Sequence, residues 1–539
     1  MTNYQLCLLD CSSIQKYVFG SNKLTTNIGA SENVAAIFEQ EIENTLCNSF
    51  NLGAAEYDLK QWEKGDHEIK IVASGSPIKV EAGYIGGGNA MLIFKKDQKI
   101  EAKRFIKAWS KSLIWKYPGI IISAALEDNV EIKNNDLDNQ TIVNLFKKLT
   151  WEKSIAVQQT TLPRHGITSN CSLSGFSAEV KYKDLNTNEV KWISTVTKSK
   201  IDKYNNSKKY FDEDTEKLLK ENSFCFSNDI EKLGQQEAQQ HIAIVHIDGN
   251  SMGKAFRDCI NLCQRRALSK TVNDATKTAW IETVDKLIDF LKHKQDFLNL
   301  KKIEIDKKKY TILPLRRIIL NGDDITFVCN AQLAFWLTEI YLKTFSKAKL
   351  PSQLGDTKFS ACAGIAITKT KFPFYRGYML AEELCNSAKK KGRVNYESWI
   401  DFEILYGGLS GELEDMRKTK YSIGQTNLLW RPWRVVPHNG NDPYDFMYAK
   451  KIIQAKFRKE RDGKPVWPRS KLKELAQILT YGERAGKDHT AILAARGLKV
   501  PDFLDLNGKL WDEKSRRTPY FDILQTMEFY PQSLLEVTI

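Results

Sequence analysis

The order β-α-β-β-α-β occurs twice in this 539-residue chain, and that repetition limits the folds open to it more than any single motif does. In the later copy, His241 to Asp248 (HIAIVHID) is an apolar, β-branched run ending in a carboxylate, the pattern of a buried strand. A long helical region follows. RRIIL and ITFVC then flank Asn321-Gly322-Asp323-Asp324, and Asn-Gly between apolar runs is the strongest two-residue hairpin signal. A helix over Ala331 to Phe345, a strand over Phe359 to Thr368 and a helix through RGYMLAEELCNSAKKK complete the unit. The earlier copy has a strand over Tyr4 to Asp10, a helix around ENVAAIFEQEIENTL and the pair EAGYI and AMLIF around Gly86-Gly87-Gly88-Asn89. A helix near Glu101 to Trp115 and a strand over Gly119 to Leu126 end it. From Asp10 to Asn89 is 79 residues and from Asp248 to Asp323 is 75, so the spacing repeats as well as the order.

Units of this kind form a four-stranded antiparallel sheet with helices on one face. The expected fold is therefore α+β, two ferredoxin-like βαββαβ domains forming an internal pseudo-dimer. The first unit is placed at residues 1–126, a linker at 127–240, the second unit at 241–400, and a helical C-terminal domain at 401–539. The linker is polar and lysine-rich. The helical spacing of YDFMYAKKIIQAKF and SKLKELAQILTYG carries the last assignment. Trp430, Arg431, Trp433 and Arg434 lie in that last region; arginine and aromatic rings together can stack on bases, but packing of one element on another is the favoured reading.

A hydrophobic content of 42% and a charged content of 27% exclude wholesale disorder and collagen-like or mucin-like chains. No run of about 18 apolar residues predicts a membrane span, and no secretory signal is expected at MTNYQLCLLDCSSIQ. Ten scattered cysteines without a C-x-x-C pair point to a reduced, cytoplasmic protein. The net charge of +14 is compatible with phosphate-bearing partners but decides nothing alone.

In this topology the first strand and the hairpin are neighbours, so Asp248, Asp323 and Asp324 should converge. Three carboxylates repel one another unless cations neutralise them. Hard divalent ions, Mg²⁺ or Mn²⁺, are the usual solution, and two could activate a ribose hydroxyl and steady a leaving pyrophosphate. Gly249 to Lys254 (GNSMGK) is a glycine-punctuated turn whose backbone N–H groups suit a triphosphate, though it is no Walker loop. Lys389, Lys390, Lys391 and Arg393 end the last helix, where they can approach the same pocket. Each piece alone is an ordinary hairpin turn or solvated helix end; their joint order and spacing is what points to a site.

HIDGNSMGK, LNGDDITFV and SACAGIAITKTKFPFYRGYMLAEELCNSAKKKGR resemble the catalytic palm of the large polymerase-cyclase subunit of type III CRISPR effector complexes. DCSSIQKYVFGSNKLTTNIGAS and YIGGGNAMLIF resemble that family's first palm, and weaker likeness continues through TNLLWRPWRV, WPRSKLKELAQIL and TPYFDILQTMEFYP. The resemblance implies an enzyme, a Mg²⁺- or Mn²⁺-dependent nucleotidyltransferase that makes a cyclic oligoadenylate messenger from ATP in antiviral defence. It assigns metal binding and catalysis to Asp248, Asp323 and Asp324. Triphosphate contacts fall to Gly249, Asn250, Ser251, Met252, Gly253 and Lys389, and a second nucleotide lies near Gly87, Gly88 and Asn89. Asn321 replaces the first glycine of the family's Gly-Gly-Asp-Asp; Asn tolerates positive φ, so the turn should survive. The first copy keeps Asp10 but offers Asn89 for an acid, and should position a nucleotide without catalysing.

Many members of that family carry an HD nuclease domain. Here the adjacent pairs are only Asp66-His67 and Asp488-His489, in the opposite order, so cleavage by that route is not expected. Cys171 and His165 are two ligands where structural zinc wants four, and no zinc is expected. The competing readings are a dinucleotide cyclase using other nucleoside triphosphates and a non-catalytic nucleotide- or RNA-binding scaffold of a defence complex. Partners expected beyond nucleotides are an RNA or protein activator and a cyclic-nucleotide effector, with self-association or membership of a complex left open. Base choice, ring size and linkage are not readable.

Overall fold

The computed structural model describes residues 4–535 apart from 65–68, 97–99, 134–135, 156–166, 184–187, 207–212, 228, 234–239, 306, 352–354, 356, 408–410, 438–441, 462–463 and 505. The first unit runs β1 (Tyr4–Ser12), α1 (Ile14–Phe19), α2 (Leu24–Glu39), α3 (Glu41–Phe50), β2 (Val80–Gly86), β3 (Asn89–Lys95), α4 (Ala102–Lys116), β4 (Ile121–Val130) and α5 (Asn139–Ile155). The second runs β5 (His241–Gly249), α6 (Met252–Asp258), α7 (Leu262–His293), β6 (Leu315–Asn321), β7 (Asp324–Asn330), α8 (Ala334–Phe345), β8 (Ala361–Lys369), α9 (Phe374–Asn395) and β9 (Ser398–Ile404). Sheet orders β2-β3-β1-β4 and β6-β7-β5-β8 are the ferredoxin-like arrangement in both, so the mixed α+β, two-unit fold holds.

The sheets are wider than the four strands expected. Tyr57–Asp58 adds to the first beside β2, and β9 with Trp433–Val436 extends the second beyond β8. The boundary drawn at residue 400 thus falls inside β9, and that at 126 inside β4.

Helices also do not keep to one face of the second sheet. Ala243, Val245 and Ile247 of β5 belong to a core with Trp280 of α7 and Trp336 of α8. Ile242 and Ile244 belong to another core with Tyr378 and Leu384 of α9, and this one continues into the first unit. The physical reason is that Ile242 to Val245 is apolar at every position, so neither face can be left in water.

Both hairpins close on two residues, and the left-handed backbone falls where glycine stands. Asn321 pairs with Asp324 across the ladder, so the turn is Gly322-Asp323, with Gly322 at φ 61°. Asn321 is therefore the last strand residue and not a turn residue, as glycine takes positive φ at lower cost. In the first unit Gly86 pairs with Asn89, and Gly87 and Gly88 both have positive φ, 61° and 78°.

C-terminal to β9 the chain is mainly helical, with Leu413–Tyr421, Phe446–Ile452, Arg469–Leu479, Glu483–Ala495 and Tyr520–Phe529. Trp430, Arg431 and Trp433 are buried. Arg431 donates to Glu403 at 3.0 Å, and its guanidinium lies 4.1 Å from the Phe402 ring centroid. Asp401 accepts two bonds of 2.8 Å from Arg417. These side chains pack the C-terminal region onto β9; they are not free for bases. Cys171 sits in a small apolar cluster with Ile193 and Ile201, and His165 lies outside the described residues, as does the pair Asp66-His67.

Candidate active site between the two repeats

Alternation along β5 puts His246 and Asp248 on one face, and the antiparallel register sets Thr326 and Asp324 of β7 opposite them. Asp248 and Asp324 are direct cross-strand partners, so their Cβ atoms stand about 5 Å apart. Asp323, in the turn, packs over Gly249: a Cβ added there would lie 2.6 Å from Asp323 Oδ2. Glycine is needed at 249 for that approach. The three predicted carboxylates therefore converge.

Their electrostatics show the strain of convergence. Burial, with Asp248 and Asp324 beside it, pushes the Asp323 carboxyl up to about 7. Burial and then Asp248 raise Asp324 well above the carboxylate range. Asp324 Oδ1 is buried without a hydrogen-bond partner. A hard cation would neutralise such a set of oxygens and satisfy that orphan. Among the described residues no group of three or more acidic, histidine or cysteine side chains is close enough together to enclose a metal ion by itself. The Lys389 ammonium holds Asp248 Oδ2 directly. Burial works to discharge Lys389, but Asp248 outweighs it and keeps it charged.

The other predicted contacts divide. Gly253 and Asn89 line a cavity of about 850 Å³ between the units, together with Arg257, Arg265, Trp62 and Phe146. Gly87 lines it too, and also a second cavity of about 630 Å³ that contains Asp248, Asp323 and Asp324. Asp323 is common to both. Gly88 faces Ile14. Asn250 is withdrawn from the site: its amide donates to Ser360 Oγ at 3.0 Å and the Glu397 carbonyl at 2.9 Å, which anchors the end of β5. Met252 is buried in the core, and Ser251, at φ 58°, opens α6. Lys390 pairs with Glu414 at 3.5 Å and Lys391 lies over the Tyr444 ring, so of the lysine run only Lys389 reaches the carboxylates.

Sequence reasoning missed several neighbours. Glu382, on α9, is a fourth carboxylate in the 630 Å³ cavity; burial raises its pKa, His246 pulls it down and Asp248 pushes it up. It stands seven residues before Lys389, the same face of a helix, so the signal was present. His246, two before Asp248, has its Nδ1 3.0 Å from Thr326 Oγ1 and 3.5 Å from Asp324 Oδ1. Burial takes it down to about 4, against the pull of Asp248 and Glu382. Tyr378 also lines the cavity, stacked on Phe19 of α1 with centroids 3.6 Å apart.

Residues 241–396 match the family model described as Cas10/Cmr2, second palm domain. No curated protein matches the chain in sequence. Among solved structures, Csm1 from T. onnurineus superposes with a TM-score of 0.56 at 14% identity, over 99% of this chain and 69% of that one. A Csm1–Csm4 cassette in complex with one ATP gives 0.52 at 12% identity, over 99% and 70%. A Csm1–Csm4 cassette in complex with cA4 gives 0.51 at 11% identity, over 98% and 70%. At such identities the likeness is one of fold. No helix among the described residues is long and apolar enough to cross a membrane.

Proposed function

Taking residues 241–396 as a Cas10/Cmr2-type second palm, we propose that the chain is a nucleotidyltransferase that joins nucleoside triphosphates into a cyclic oligonucleotide, oligoadenylate from ATP. The observation that carries the reading is the meeting of Asp248, Asp323 and Asp324 at a cavity walled by both palms. Structures of similarly folded Csm1–Csm4 cassettes with ATP and with cA4 support the choice of nucleotide.

Two cavities that share Asp323 offer places for two nucleotides, one over the acids and one against Asn89 and Gly253. A ribose hydroxyl of one attacks the α-phosphorus of the other, an O–P bond forms, the bond to pyrophosphate breaks, and the hydroxyl proton leaves. Asp323 lines both cavities, so its carboxylate, when ionised, is the group placed to receive that proton. Divalent cations held by Asp248, Asp323 and Asp324 would supply charge for the phosphates and a more acidic hydroxyl. Lys389 keeps Asp248 oriented until that charge arrives. The apolar walls of the larger cavity, Trp62, Tyr84 and Phe146 among them, exclude water and take a base. The first palm, with Asn89 in place of an acid, positions and does not catalyse. By the same reading the protein works beside other subunits of a defence complex, within the cell, with an RNA or protein trigger and a cyclic-nucleotide effector downstream.

The test is incubation with the four ribonucleoside triphosphates and Mg²⁺ or Mn²⁺, with products read by mass spectrometry. Cyclic adenylates are the expected product. A dinucleotide of another base, or nucleotide binding without turnover under every trigger tried, would replace the reading.

A further inference from the structure

The segment after the first strand is the same in both palms to a degree the fold alone does not require. Asp10-Cys-Ser-Ser13-Ile-Gln-Lys16 and Asp248-Gly-Asn-Ser251-Met-Gly-Lys254 share Asp, Ser and Lys at identical spacing. The serines share a left-handed backbone, φ 55° and 58°, and each opens a short helix. The two segments differ in where they are used. Lys254 lines neither of the two cavities, whereas Lys16 crosses to the cavity that holds the second palm's acids.

Its position there is fixed from both sides. Gln15 lines the cavity with Glu382 of α9, and Phe19, fully buried, stacks on Tyr378 of the same helix at 3.6 Å. Lys16 itself is exposed and has no ion-pair partner among the described residues, although Asp248, Asp323, Asp324 and Glu382 line the same cavity. The Tyr378 hydroxyl is buried there without a partner, a second polar group left for something that enters. A flexible ammonium at the rim, not consumed by the carboxylates, suits the non-bridging oxygens of a polyphosphate.

We infer that Lys16 is a positioning residue that the first palm lends to the second, its ammonium holding the phosphates of the nucleotide seated over Asp248, Asp323 and Asp324. The inference rests on the nucleotidyltransferase reading and deepens it: the two palms then depend on each other for substrate as well as for packing. A purely electrostatic role, neutralising the acids, is the competing explanation, and it would act on the protein with or without phosphates.

Titration calorimetry of the full chain with α,β-methylene-ATP and with adenosine, in Mg²⁺, separates these. Lys16→Gln is expected to weaken the triphosphate analogue roughly tenfold, to leave adenosine unchanged, and to be largely rescued by Lys16→Arg. Equal affinity of wild type and Lys16→Gln for the analogue overturns the inference while leaving the site intact, as does an equal loss for adenosine. Absence of analogue binding by wild type overturns both the inference and the site. A thermal melt of Lys16→Gln matching wild type shows that the change is one of binding.

Discussion

In the first palm Asp10 stands opposite Asn89 and pairs with Lys153 of α5 at 2.6 Å; in the second Asp248 stands opposite Asp324 and is held by Lys389 of α9. α5 and α9 are each the helix that follows the fourth strand of the βαββαβ order, β4 and β8, so the Asp–Lys pair is common property of the repeat. What differs is the hairpin, Gly87-Gly88-Asn89 against Gly322-Asp323-Asp324. A strand-end carboxylate with its lysine is thus part of the scaffold, and the two added acids leave one scaffold with its charge unbalanced. The sharpest way to break the comparison is to remove the addition. Asp323→Ala with Asp324→Ala should lower nucleotide consumption on the order of a thousandfold or more. Two mutually repelling, desolvated groups are lost, so the melting temperature should not fall. Labelled ATP with Mg²⁺ or Mn²⁺ and a thermal melt read both; residual turnover near wild type would mean that the acids are structural.

Much of this was legible before any coordinates, and the gaps have a common cause. Asp248, Asp323 and Asp324 could be brought together because strand alternation and ferredoxin-like topology fix neighbours without knowledge of packing. Glu382 and His246 carry the same kind of signal, periods of seven and of two, but neither completes a familiar motif. Asn250 is different: its motif suggested phosphate contact, but Ser360 and Glu397, 110 and 147 residues away, claim its amide. No local pattern announces such a partner. The placing of α9 opposite α7 and α8 was hidden for a related reason, since an unbroken apolar run such as 242–245 says that both faces are covered but not by what.

The comparison also assumes that the palms keep one mutual orientation, and a buried ion pair bears on that. Arg266 of α7 donates to Glu81 of β2 at 3.0 Å and to the Ala82 and Gly83 carbonyls at 2.8 Å, and neither charged side chain is more than 1% exposed. Arg266→Met would leave Glu81 buried and uncompensated, at a cost of about 3–5 kcal/mol. Glu81→Leu combined with Arg266→Met should recover much of that, and denaturant unfolding measures both. If the single variant proves neutral, the palms are held by apolar packing alone.

The two Asp–Lys pairs should answer differently to the same change. The Lys389 side chain is 6% exposed and that of Lys153 37%. Lys389→Ala strands Asp248, itself 35% exposed, among other carboxylates and should cost about 1–2 kcal/mol, whereas Lys153→Ala leaves Asp10 with no acid opposite it and should cost about 1 kcal/mol or less. Saturating Mg²⁺ should return part of the loss in the first variant and none in the second. Equal costs would mean that the acidic hairpin adds nothing to the local electrostatics.

The smallest change asks whether the first palm can be armed. Asn89→Asp sets a second carboxylate opposite Asp10, whose own charge Lys153 already offsets, so the loss should be about 1 kcal/mol at neutral pH. The sign follows from linkage: the new carboxyl would titrate higher in the folded chain than in the unfolded one, so the penalty is absent well below pH 4 and appears as pH rises. Turnover should not appear when this change is made in the Asp323→Ala, Asp324→Ala background. The missing counterpart of Asp323 would have to stand at Gly88, where φ is 78° and a Cβ would come within 2.2 Å of Ile14 Cδ1. The first hairpin has both central residues left-handed and the second only one, so an acid at 88 would take a strained backbone that Asp323 does not. Activity recovered by Asn89→Asp alone would show that two carboxylates suffice and that the turn geometry is incidental.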